Sequence, residues 1–322
     1  MSKETEAKIV EAVDNAEEIL ERDALLEDVV DEFQRGRFPT QADVILQLAA
    51  DYDLFHTPDG TAYADVNVEG HRETFRIDGK PFAKLLKYRF YKQASEPATP
   101  EAVRKAIDSL EAKAQYDAPT RDVHVRVAEH DGALYVDLGD DDWSAVEIKA
   151  CGWQLTQNPP IRFCRFPGMR PLPKPEKGKS VETLRQYLNL SRDHDFVLIV
   201  AWVLAALRAG GPYPVLVLSG QQGSAKSTAA RVLRDLVDPN RSPVRTIPDN
   251  ERDLFVTAQH AHLLAFDNLS SVPPWLSDSL CRLATGGGHA ARRLYTDDEE
   301  TLFDAQRPVI LNGIEQIVTQ AD

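Results

Sequence analysis

A short glycine- and serine-rich segment between an apolar run and a helical pattern constrains this chain more than any other feature. The run at residues 214–220, PVLVLSG, predicts a short apolar strand, and a helix is predicted over residues 226–237. Between them lies GQQGSAKST, residues 220–228. Further strand-like segments recur at residues 263–267 and 308–312, separated by helical stretches. This alternation predicts an α/β fold with a mostly parallel sheet and helices on its faces.

The segment between the strand and the helix is suited to hold a phosphate group. Consecutive backbone N–H groups can surround a phosphate only where side chains are small, and the following helix adds free N–H groups and its positive dipole end. Lys226 would reach the β- and γ-phosphates, and the Ser227 hydroxyl would join phosphate oxygens and water around Mg²⁺. The predicted nucleotide-binding residues are Gly220, Gln221, Gln222, Gly223, Ser224, Ala225, Lys226, Ser227 and Thr228. A strand-to-helix turn without a ligand is the alternative.

One position departs from the pattern G-x-x-x-x-G-K-[ST], because Ala225 occupies the place of the second glycine. A methyl group is tolerable there if the backbone of Ala225 avoids a positive φ, while Gly223 relieves strain elsewhere in the loop. Whether the loop tolerates this methyl group without strain therefore depends on φ of Ala225.

Two polar residues each follow an apolar strand pattern further along the chain. Asp267 ends HLLAFD, and Asn312 ends VILN. A carboxylate at the carboxyl end of a neighbouring strand can support Mg²⁺, and an amide there can orient the attacking water or contact the γ-phosphate. The order of Lys226, Asp267 and Asn312 predicts a Mg²⁺-dependent nucleotide site.

Together these motifs resemble those of superfamily 3 and related AAA+ ATPases, specifically the helicase-primase-like replication ATPases of bacteriophages and mobile elements. The resemblance covers residues 214–315 and rests on GQQGSAKST (Walker A), LLAFDN (Walker B), LCRLATGGGHAARRLY between Walker B and sensor 1, and VILNG (sensor 1). It implies a three-layer P-loop NTPase core in which Lys226 and Ser227 bind phosphate and Mg²⁺. Asp267 would support Mg²⁺, and Asn312 would be the polar sensor. The resemblance further implies ATP at the interfaces of a homo-oligomeric ring and translocation on DNA.

Two features within the motifs depart from the family's pattern. Asn268 stands where many AAA+ ATPases have the glutamate that activates water, although related viral and phage enzymes also have Asp-Asn, so the catalytic base stays open. The segments ARRLY and TLF resemble the arms of the hairpin that family members insert into the central channel, but the turn between them, TDDEE, is acidic. DNA contacts are therefore expected from Arg282, Arg292 or Arg293. For Arg292 and Arg293, a role at the interface toward ATP and ordinary surface charge are the alternatives.

A third departure concerns the segment after sensor 1. Ten residues follow Asn312, whereas AAA+ proteins generally place an interface arginine and further helices there. The ATPase core, residues 181–322, is therefore expected to be truncated, as a fragment, a broken gene or a chain completed by a partner. Such a chain would bind ATP but turn it over slowly, because an arginine finger contributes about 10³- to 10⁵-fold to related phosphoryl transfers.

A shift in composition predicts a domain boundary. Residues 167–180, PGMRPLPKPEKGKS, contain four prolines and three lysines and read as a linker. Residues 1–166 are predicted to form a smaller α+β domain, with an acidic helix at residues 1–35 and β-hairpins at residues 122–165. From its position alone, this domain is expected to recognise DNA or to contact other replication proteins.

The motif KPFAKLLKYRFYKQ, residues 80–93, interleaves basic and aromatic residues. The spacing predicts an amphipathic helix whose stripe of Phe82, Leu85, Leu86 and Phe90 is buried. The same composition would suit single-stranded nucleic acid, by charge and by stacking on the aromatic rings. Both interpretations stay open at the level of sequence.

Charge and cysteine content narrow the remaining classes. The net charge is −14, from 37 basic and 51 acidic residues, and residues 1–35 alone carry twelve acids against four bases. The rest is only mildly acidic, so a local basic groove for nucleic acid remains compatible with the sequence.

The three cysteines lack the spacing of a disulfide framework or a zinc site, which fits a reducing cytoplasm of a bacterial or phage-infected cell. The longest apolar run, residues 196–207, is too short for a membrane span of roughly 20 residues, and no signal peptide is expected.

The sequence thus favours an enzyme, a Mg²⁺-dependent ATPase that converts ATP hydrolysis into movement on DNA, expected to be single-stranded, during phage or mobile-element replication. One alternative is a DNA-binding or loader module that uses ATP without unwinding DNA. Another is a P-loop kinase acting on a small molecule, which would need a phosphoacceptor site and lid arginines that are not evident in the sequence.

Overall fold

The structure, a computed structural model, describes part of the 322-residue chain. The described residues are 39–269, 271–286, 289–292, 300–303 and 305–313. The acidic helix predicted at residues 1–35 lies outside them. Within the described residues, no helix is both long enough and apolar enough to cross a membrane.

Residues 39–166 form three helices and nine strands. The helices are α1 (Gln41–Leu48), α2 (Lys80–Ala94) and α3 (Pro100–Tyr116). The strands are β1 (Asp53–His56), β2 (Ala62–Val68), β3 (His71–Arg76), β4 (Val123–His124), β5 (Val127–His130), β6 (Ala133–Asp137), β7 (Ala145–Lys149), β8 (Gly152–Thr156) and β9 (Arg162–Phe163). They make a three-stranded sheet of order β1-β2-β3, a four-stranded sheet of order β5-β6-β7-β8, and a parallel pair of β4 and β9.

Residues 181–313 form helices alternating with strands, as the sequence predicts. After a 3₁₀ helix (Val181–Tyr187), the α-helices are α4 (Asp193–Ala206), α5 (Lys226–Val237), α6 (Glu251–Gln259) and α7 (Pro274–Thr285). The strands are β10 (Leu216–Ser219), β11 (Leu264–Leu269), β12 (His289–Arg292), β13 (Glu300–Phe303) and β14 (Val309–Gly313). The fold is therefore mixed α/β, and α5 has the predicted bounds.

Local sequence signals explain where α2 and α3 begin and end. The Thr99 side chain accepts a hydrogen bond from the Ala102 N–H at 3.3 Å, and Pro100 occupies the first position of α3. Helix α2 begins after Gly79 and ends at Ser95, which adopts a left-handed conformation with φ 57°. The apolar face of α2 is buried through Phe82, Leu86 and Phe90, while Leu85 is half-buried. The predicted amphipathic helix is confirmed.

The chain divides into two compact units. Of the described residues, the first unit contains 39–55, 62–64 and 76–119, and the second contains 56–61, 65–75 and all those from 120 onward. The first unit is built around α1, α2 and α3. The proline-rich segment at residues 167–180 lies within the second unit, and its role as a domain boundary stays a prediction.

The predicted hairpin after residue 122 is present in part. Strands β5 and β6 pair antiparallel across Asp131 and Gly132, whose φ angles of 49° and 72° suit a two-residue hairpin turn. Val123 was expected to share this hairpin but instead pairs in parallel with Arg162 of β9. Strand β8 was not predicted, because both of its faces are largely exposed and its sequence therefore lacks apolar alternation.

The parallel sheet of the second unit has the order β10-β14-β11. One face packs against α4 and α5 through a cluster that includes Ala265 and Ile310, and the other packs against α6 and α7 through a cluster that includes Phe266 and Leu311. Neighbouring residues of one strand thus enter opposite clusters, as the pleat requires. The backbone of Arg245 adds a short parallel bridge beside β11. Helices therefore pack on both faces of the sheet, in which β14 is buried and the edge strand β10 is partly exposed.

Candidate functional site

Three parallel strands end at the same edge of the sheet. Leu218 of β10 lies opposite Asn312 of β14, and Phe266 of β11 lies opposite Leu311. The register shifts after Phe266, so Asp267 stands at an irregularity of the strand. Because all three strands run in the same direction, the loop after β10 meets the polar residues of β11 and β14.

Ser227, Asp267 and Asn312 form one hydrogen-bonded cluster at this edge. The Ser227 Oγ donates to Oδ1 of Asp267 at 3.1 Å. The Asn312 Nδ2 donates to the Ser227 Oγ at 3.0 Å and to Oδ1 of Asp267 at 2.5 Å. The structure thus brings together three residues separated by 40 to 85 positions in the chain. They belong to the first turn of α5 and to two different strands.

Asn312 has one polar atom without a partner. Its side chain is 1% exposed, and among the described residues no group donates a hydrogen bond to its Oδ1. A buried amide oxygen of this kind costs free energy unless a donor reaches it. The residue lines a cavity together with Asp267 and Lys226, so a polar ligand bound in that cavity would lie next to this amide.

Asn268 lies beside the cluster but faces solvent. Its backbone N–H donates to Oδ1 of Asp267 at 2.8 Å, and its φ of 60° is one that asparagine tolerates better than most residues. Asn268 therefore holds the Asp267 carboxylate through its main chain, and its exposed side chain lines the same cavity.

Lys226 is folded onto the loop that precedes it. Its Nζ donates to the carbonyl oxygens of Gly220 and Gln221, both at 2.7 Å, and to the Ser224 Oγ at 3.3 Å. These bonds use all three donors of the ammonium group. Among the described residues, none accepts a hydrogen bond from the backbone N–H groups of Lys226, Ser227 or Thr228. The first turn of α5 therefore presents free donors and a positive dipole end next to the lysine.

Ala225 contradicts the condition set by the sequence. Its φ is 64° and its ψ 19°, so it is left-handed and directly precedes α5. The condition under which a methyl group is tolerated without strain is therefore not met. The conformation is the one that favours glycine, and an alanine there carries roughly 1 kcal/mol of strain. The loop keeps the shape that a second glycine would allow, because α5 and the bonds of Lys226 fix the residues that follow.

Two cavities flank the loop. The first, of about 470 Å³, is lined on one side by Gly223 to Thr228 and on the other by Asp267, Asn268 and Asn312. The second, of about 550 Å³, lies against Gly220, Gln221 and Lys226 and extends along Asn189 and Leu198. Both volumes fall in the range of small-molecule sites. Asn189, which the sequence analysis did not single out, donates from Nδ2 to the Ser224 carbonyl at 3.4 Å.

The other end of α5 is held by a buried charge cluster around Asp238. Its Oδ2 accepts hydrogen bonds from the backbone N–H groups of His262 and Leu263, at 3.0 and 3.1 Å, and from Nη2 of Arg234 at 3.3 Å. Burial alone would raise the pKa of Asp238, but the charges of Arg234 and Arg126 outweigh it, and the pKa lies below its usual range. Burial lowers the pKa of Arg234 to about 10, which leaves it charged at neutral pH.

Arg126 completes this cluster. It directly precedes β5, a strand of the four-stranded sheet in the second unit. Its guanidinium donates to Oδ1 of Asp238 at 3.1 Å, to the Asp137 carbonyl at 3.0 Å and to the Arg170 carbonyl at 3.1 Å. Gly139 makes room for it, since a Cβ there would lie 2.9 Å from Nη1. The sequence analysis missed Arg126 and Asp238, and no local pattern marks them, because 112 residues separate the pair.

The arginines predicted to contact DNA have different placements. Arg282 lies on α7, where it forms an ion pair with Glu251 and approaches the Ser279 Oγ at 3.4 Å. Arg292 is the last residue of β12, which pairs antiparallel with β13, as predicted for the two arms. Arg293 lies outside the described residues. The DNA contact of these arginines stays a prediction.

Residues 181–322 match the family model of the Actinomycete integrative conjugative element replication protein, AICE RepA. None of the curated proteins matches the chain. Solved structures that are similar include the apo NrS-1 C-terminal region, at 12% identity and a TM-score of 0.43, with 86% of this chain and 58% of that chain covered. Another is the helicase Cch of SCCmec type IV, at 15% identity and a TM-score of 0.41, with 83% and 50% covered. The chain thus spans little more than half the length of these structures, and its C-terminal 142 residues are similar to a family of replication proteins.

Proposed function

We propose that residues 181–322 form an AAA+-like P-loop NTPase core that binds ATP with Mg²⁺ and hydrolyses it. The observation that carries the proposal is the contact of Ser227 with Asp267 and Asn312 beside the free N–H groups of α5. This places an anion-binding helix end next to a carboxylate and a hydroxyl. A phosphate chain with a bound Mg²⁺ is the ligand that fits both halves.

Lys226, Ser227 and Asp267 each have a defined task in this proposal. Lys226 exchanges its bonds to the loop carbonyls for phosphate oxygens, and the first-turn N–H groups of α5 donate to the same phosphates. Ser227 and Asp267 supply the hard oxygen ligands that Mg²⁺ prefers, directly or through water. When bound, Mg²⁺ neutralises charge on the β- and γ-phosphates.

Asn312 is the residue best placed to orient a water molecule. Its Nδ2 is committed to Ser227 and Asp267, and its Oδ1 is an acceptor that no described residue uses, on a residue that lines the cavity. An acceptor there holds one proton of a water in a fixed direction, which is a positioning contribution rather than proton removal. The residue that would remove a proton from this water is not assigned, because Asn268, at the position of the activating glutamate, carries an amide.

The second cavity supports the assignment of the rest of the nucleotide. It begins at Gly220 and Lys226 and continues along Asn189 and Leu198, on the side of the loop away from Asp267. We assign the ribose and base to this cavity, because it adjoins Gly220 and Lys226 of the loop and its volume falls in the range of small-molecule sites.

Coupling of hydrolysis to DNA is proposed from the family match. The matched family consists of replication proteins of integrative conjugative elements, so translocation on or unwinding of DNA during mobile-element replication is the activity that we assign. Assembly into a homo-oligomeric ring and contacts with other replication proteins belong to the same proposal. A loader that uses ATP to assemble on DNA without separating strands is the alternative.

The test compares ATP affinity and steady-state hydrolysis, with Mg²⁺ and with or without single-stranded DNA, in the wild type, Lys226→Ala and Arg231→Ala. Arg231 is exposed on the same helix, so it is a control for loss of one positive charge. Lys226→Ala should weaken ATP binding about 10- to 100-fold, the contribution of charge-assisted bonds, while Arg231→Ala stays within twofold. Equal affinities in all three proteins, or no ATP binding with Mg²⁺, would contradict the proposal.

ATP turnover that DNA stimulates, together with strand separation, would support translocation on or unwinding of DNA. ATP-dependent oligomers with DNA affinity but no strand separation would favour the loader.

A further inference from the structure

The outer face of α2 is a continuous basic and aromatic surface. Its members are exposed and lie within an arc of about 140° of the helix, at 100° for each residue. They are Lys80, Lys84, Lys87, Tyr88, Tyr91 and Lys92, hereafter the lysine-tyrosine face. The arc runs along about 18 Å of the helix axis, from the first lysine to the last.

Charge on this face is uncompensated within the described part of the chain. Helix α2 contains five basic residues and no acid, in a chain whose net charge is −14. Among the described residues, none of the four lysines of the face forms an ion pair with a carboxylate. The acids that directly flank the helix in sequence have other partners, since Asp78 binds Arg76 and Glu96 accepts from Gln41. Asp51 approaches Arg89, which is not part of the face.

The two tyrosines of the face are exposed and do not contribute to the buried side of the helix. Tyr88 and Tyr91 are 57% and 56% exposed, while Phe82, Leu86 and Phe90 supply the buried side of the helix. Because that apolar side is buried, the helix cannot lie in a membrane surface as an amphipathic anchor. Exposed rings among lysines are instead the combination that binds single-stranded nucleic acid, by stacking and by phosphate contact.

We propose that the lysine-tyrosine face binds single-stranded DNA, with the lysines on phosphates and Tyr88 and Tyr91 stacked on bases. The choice of DNA over RNA rests on the proposed function. The surface itself does not, since it belongs to the first compact unit and needs no nucleotide. Both interpretations of α2 from the sequence then hold: its apolar side is buried in the fold, and its opposite side binds single-stranded nucleic acid.

The test measures binding of the full chain to a labelled oligothymidylate of about 20 nucleotides by fluorescence anisotropy, without nucleotide. One variant is Tyr88→Ala with Tyr91→Ala, and the other is Lys84→Ala with Lys87→Ala. The matched control is Lys113→Ala with Tyr116→Ala on α3, which removes an exposed lysine and an exposed tyrosine from the same unit. All of these side chains are exposed, and circular dichroism checks that each variant folds.

Stacking on one base contributes about 5- to 100-fold in affinity, so the tyrosine variant, which removes two rings, should lose roughly 25-fold or more. The lysine variant should lose affinity and also reduce the salt slope of log K by about 1.4, at 0.7 for each phosphate contact of a single strand. The control should stay within twofold. Losses below twofold in both face variants would overturn the proposal, as would equal losses in the control.

Three further arms separate the alternatives. Equal affinity for duplex DNA with no tyrosine effect would indicate phosphate contact alone and overturn the stacking, and tighter binding of oligouridylate would overturn the choice of DNA. Binding of an acidic polypeptide such as polyglutamate with equal affinity would overturn the nucleic-acid assignment. ATP affinity is measured in the same preparations. If ATP does not bind but the face variants lose DNA, the proposed function fails and this inference stands.

Discussion

Nε of Arg126 donates to Oδ1 of Asp238 at 3.1 Å, and the two side chains are 0% and 1% exposed. The acid directly follows α5, whose first turn carries Lys226 and Ser227. The candidate nucleotide site and this ion pair therefore lie at opposite ends of one 12-residue helix. The pair links that helix to β5, which Arg126 directly precedes, and to β6, whose last residue, Asp137, accepts a hydrogen bond from Arg126 through its carbonyl.

Removing Arg126 should destabilise the second unit strongly. Arg126→Ala leaves the Asp238 carboxylate buried with fewer donors, and breaking a buried ion pair costs about 3–5 kcal/mol. Urea unfolding at pH 7 measures the loss. Arg126→Lys keeps the charge but loses the planar fork and should give a smaller loss. Lys174→Ala, which breaks the exposed pair with Asp142, is the control and should cost below about 1 kcal/mol. A similar cost for Arg126→Ala and the control would contradict this prediction.

The free energy of unfolding should decrease as the pH is lowered from about 6.5 to about 4, because of His262. Burial lowers its pKa to about 4, so in this window the unfolded chain binds a proton that the native protein does not. The unfolded state therefore gains as pH falls, and the loss is complete below the native pKa. Between pH 7 and 5 the loss from this residue is about 2 kcal/mol.

His262→Gln tests the pH prediction, because glutamine can still donate to the Ala206 carbonyl, which His262 Nε2 contacts at 2.7 Å. Urea unfolding at pH 7 and pH 5 should show a smaller pH difference in the variant than in the wild type. His194→Gln is the control, since that histidine is exposed. An unchanged difference in His262→Gln would show that other groups cause the acid loss.

Asp267 should be required for Mg²⁺-dependent turnover. Asp267→Asn keeps the shape of the cluster with Ser227 and Asn312 but removes the negative charge that holds the cation. Steady-state hydrolysis should fall about 10²-fold, and the Mg²⁺ concentration for half-maximal rate should rise. Asp278→Asn on α7 removes an equally negative but exposed group and should change neither quantity. A full rate in Asp267→Asn would exclude the carboxylate from the reaction.

Much of the second unit follows from local sequence patterns. The strand, loop and helix around residues 214–237 were predicted closely, because apolar runs, small residues and helical spacing each act over a few positions. Parallel strands then bring Asp267 and Asn312 to the loop without further information. Prediction was weaker where pairing depends on distant residues, as when Val123 joins Arg162 rather than the hairpin.

The buried cluster around Asp238 was beyond sequence reasoning for a different reason. An acid after a helix is usually solvated, and nothing near Asp238 indicates that Arg126 will reach it. The helix α2 shows a third case, in which two interpretations competed because each described one side of the same helix. Burial of Phe82 and exposure of Tyr88 separate them only in three dimensions.

Replacing Ala225 with glycine should stabilise the protein. Ala225 holds φ at 64°, where an L-residue with a Cβ is strained, and glycine removes that strain at some cost in chain entropy. We expect a net gain of up to about 1 kcal/mol in the free energy of unfolding.

Ala229→Gly, the same chemical change within α5, is the control. It should instead lower the free energy of unfolding by about 1 kcal/mol, because residue 229 lies in a helix interior. Urea unfolding of both variants distinguishes the two signs. ATP affinity should not fall in Ala225→Gly, because the loop already has the conformation that glycine prefers. A loss of stability equal to that of Ala229→Gly would mean that the left-handed conformation carries no strain.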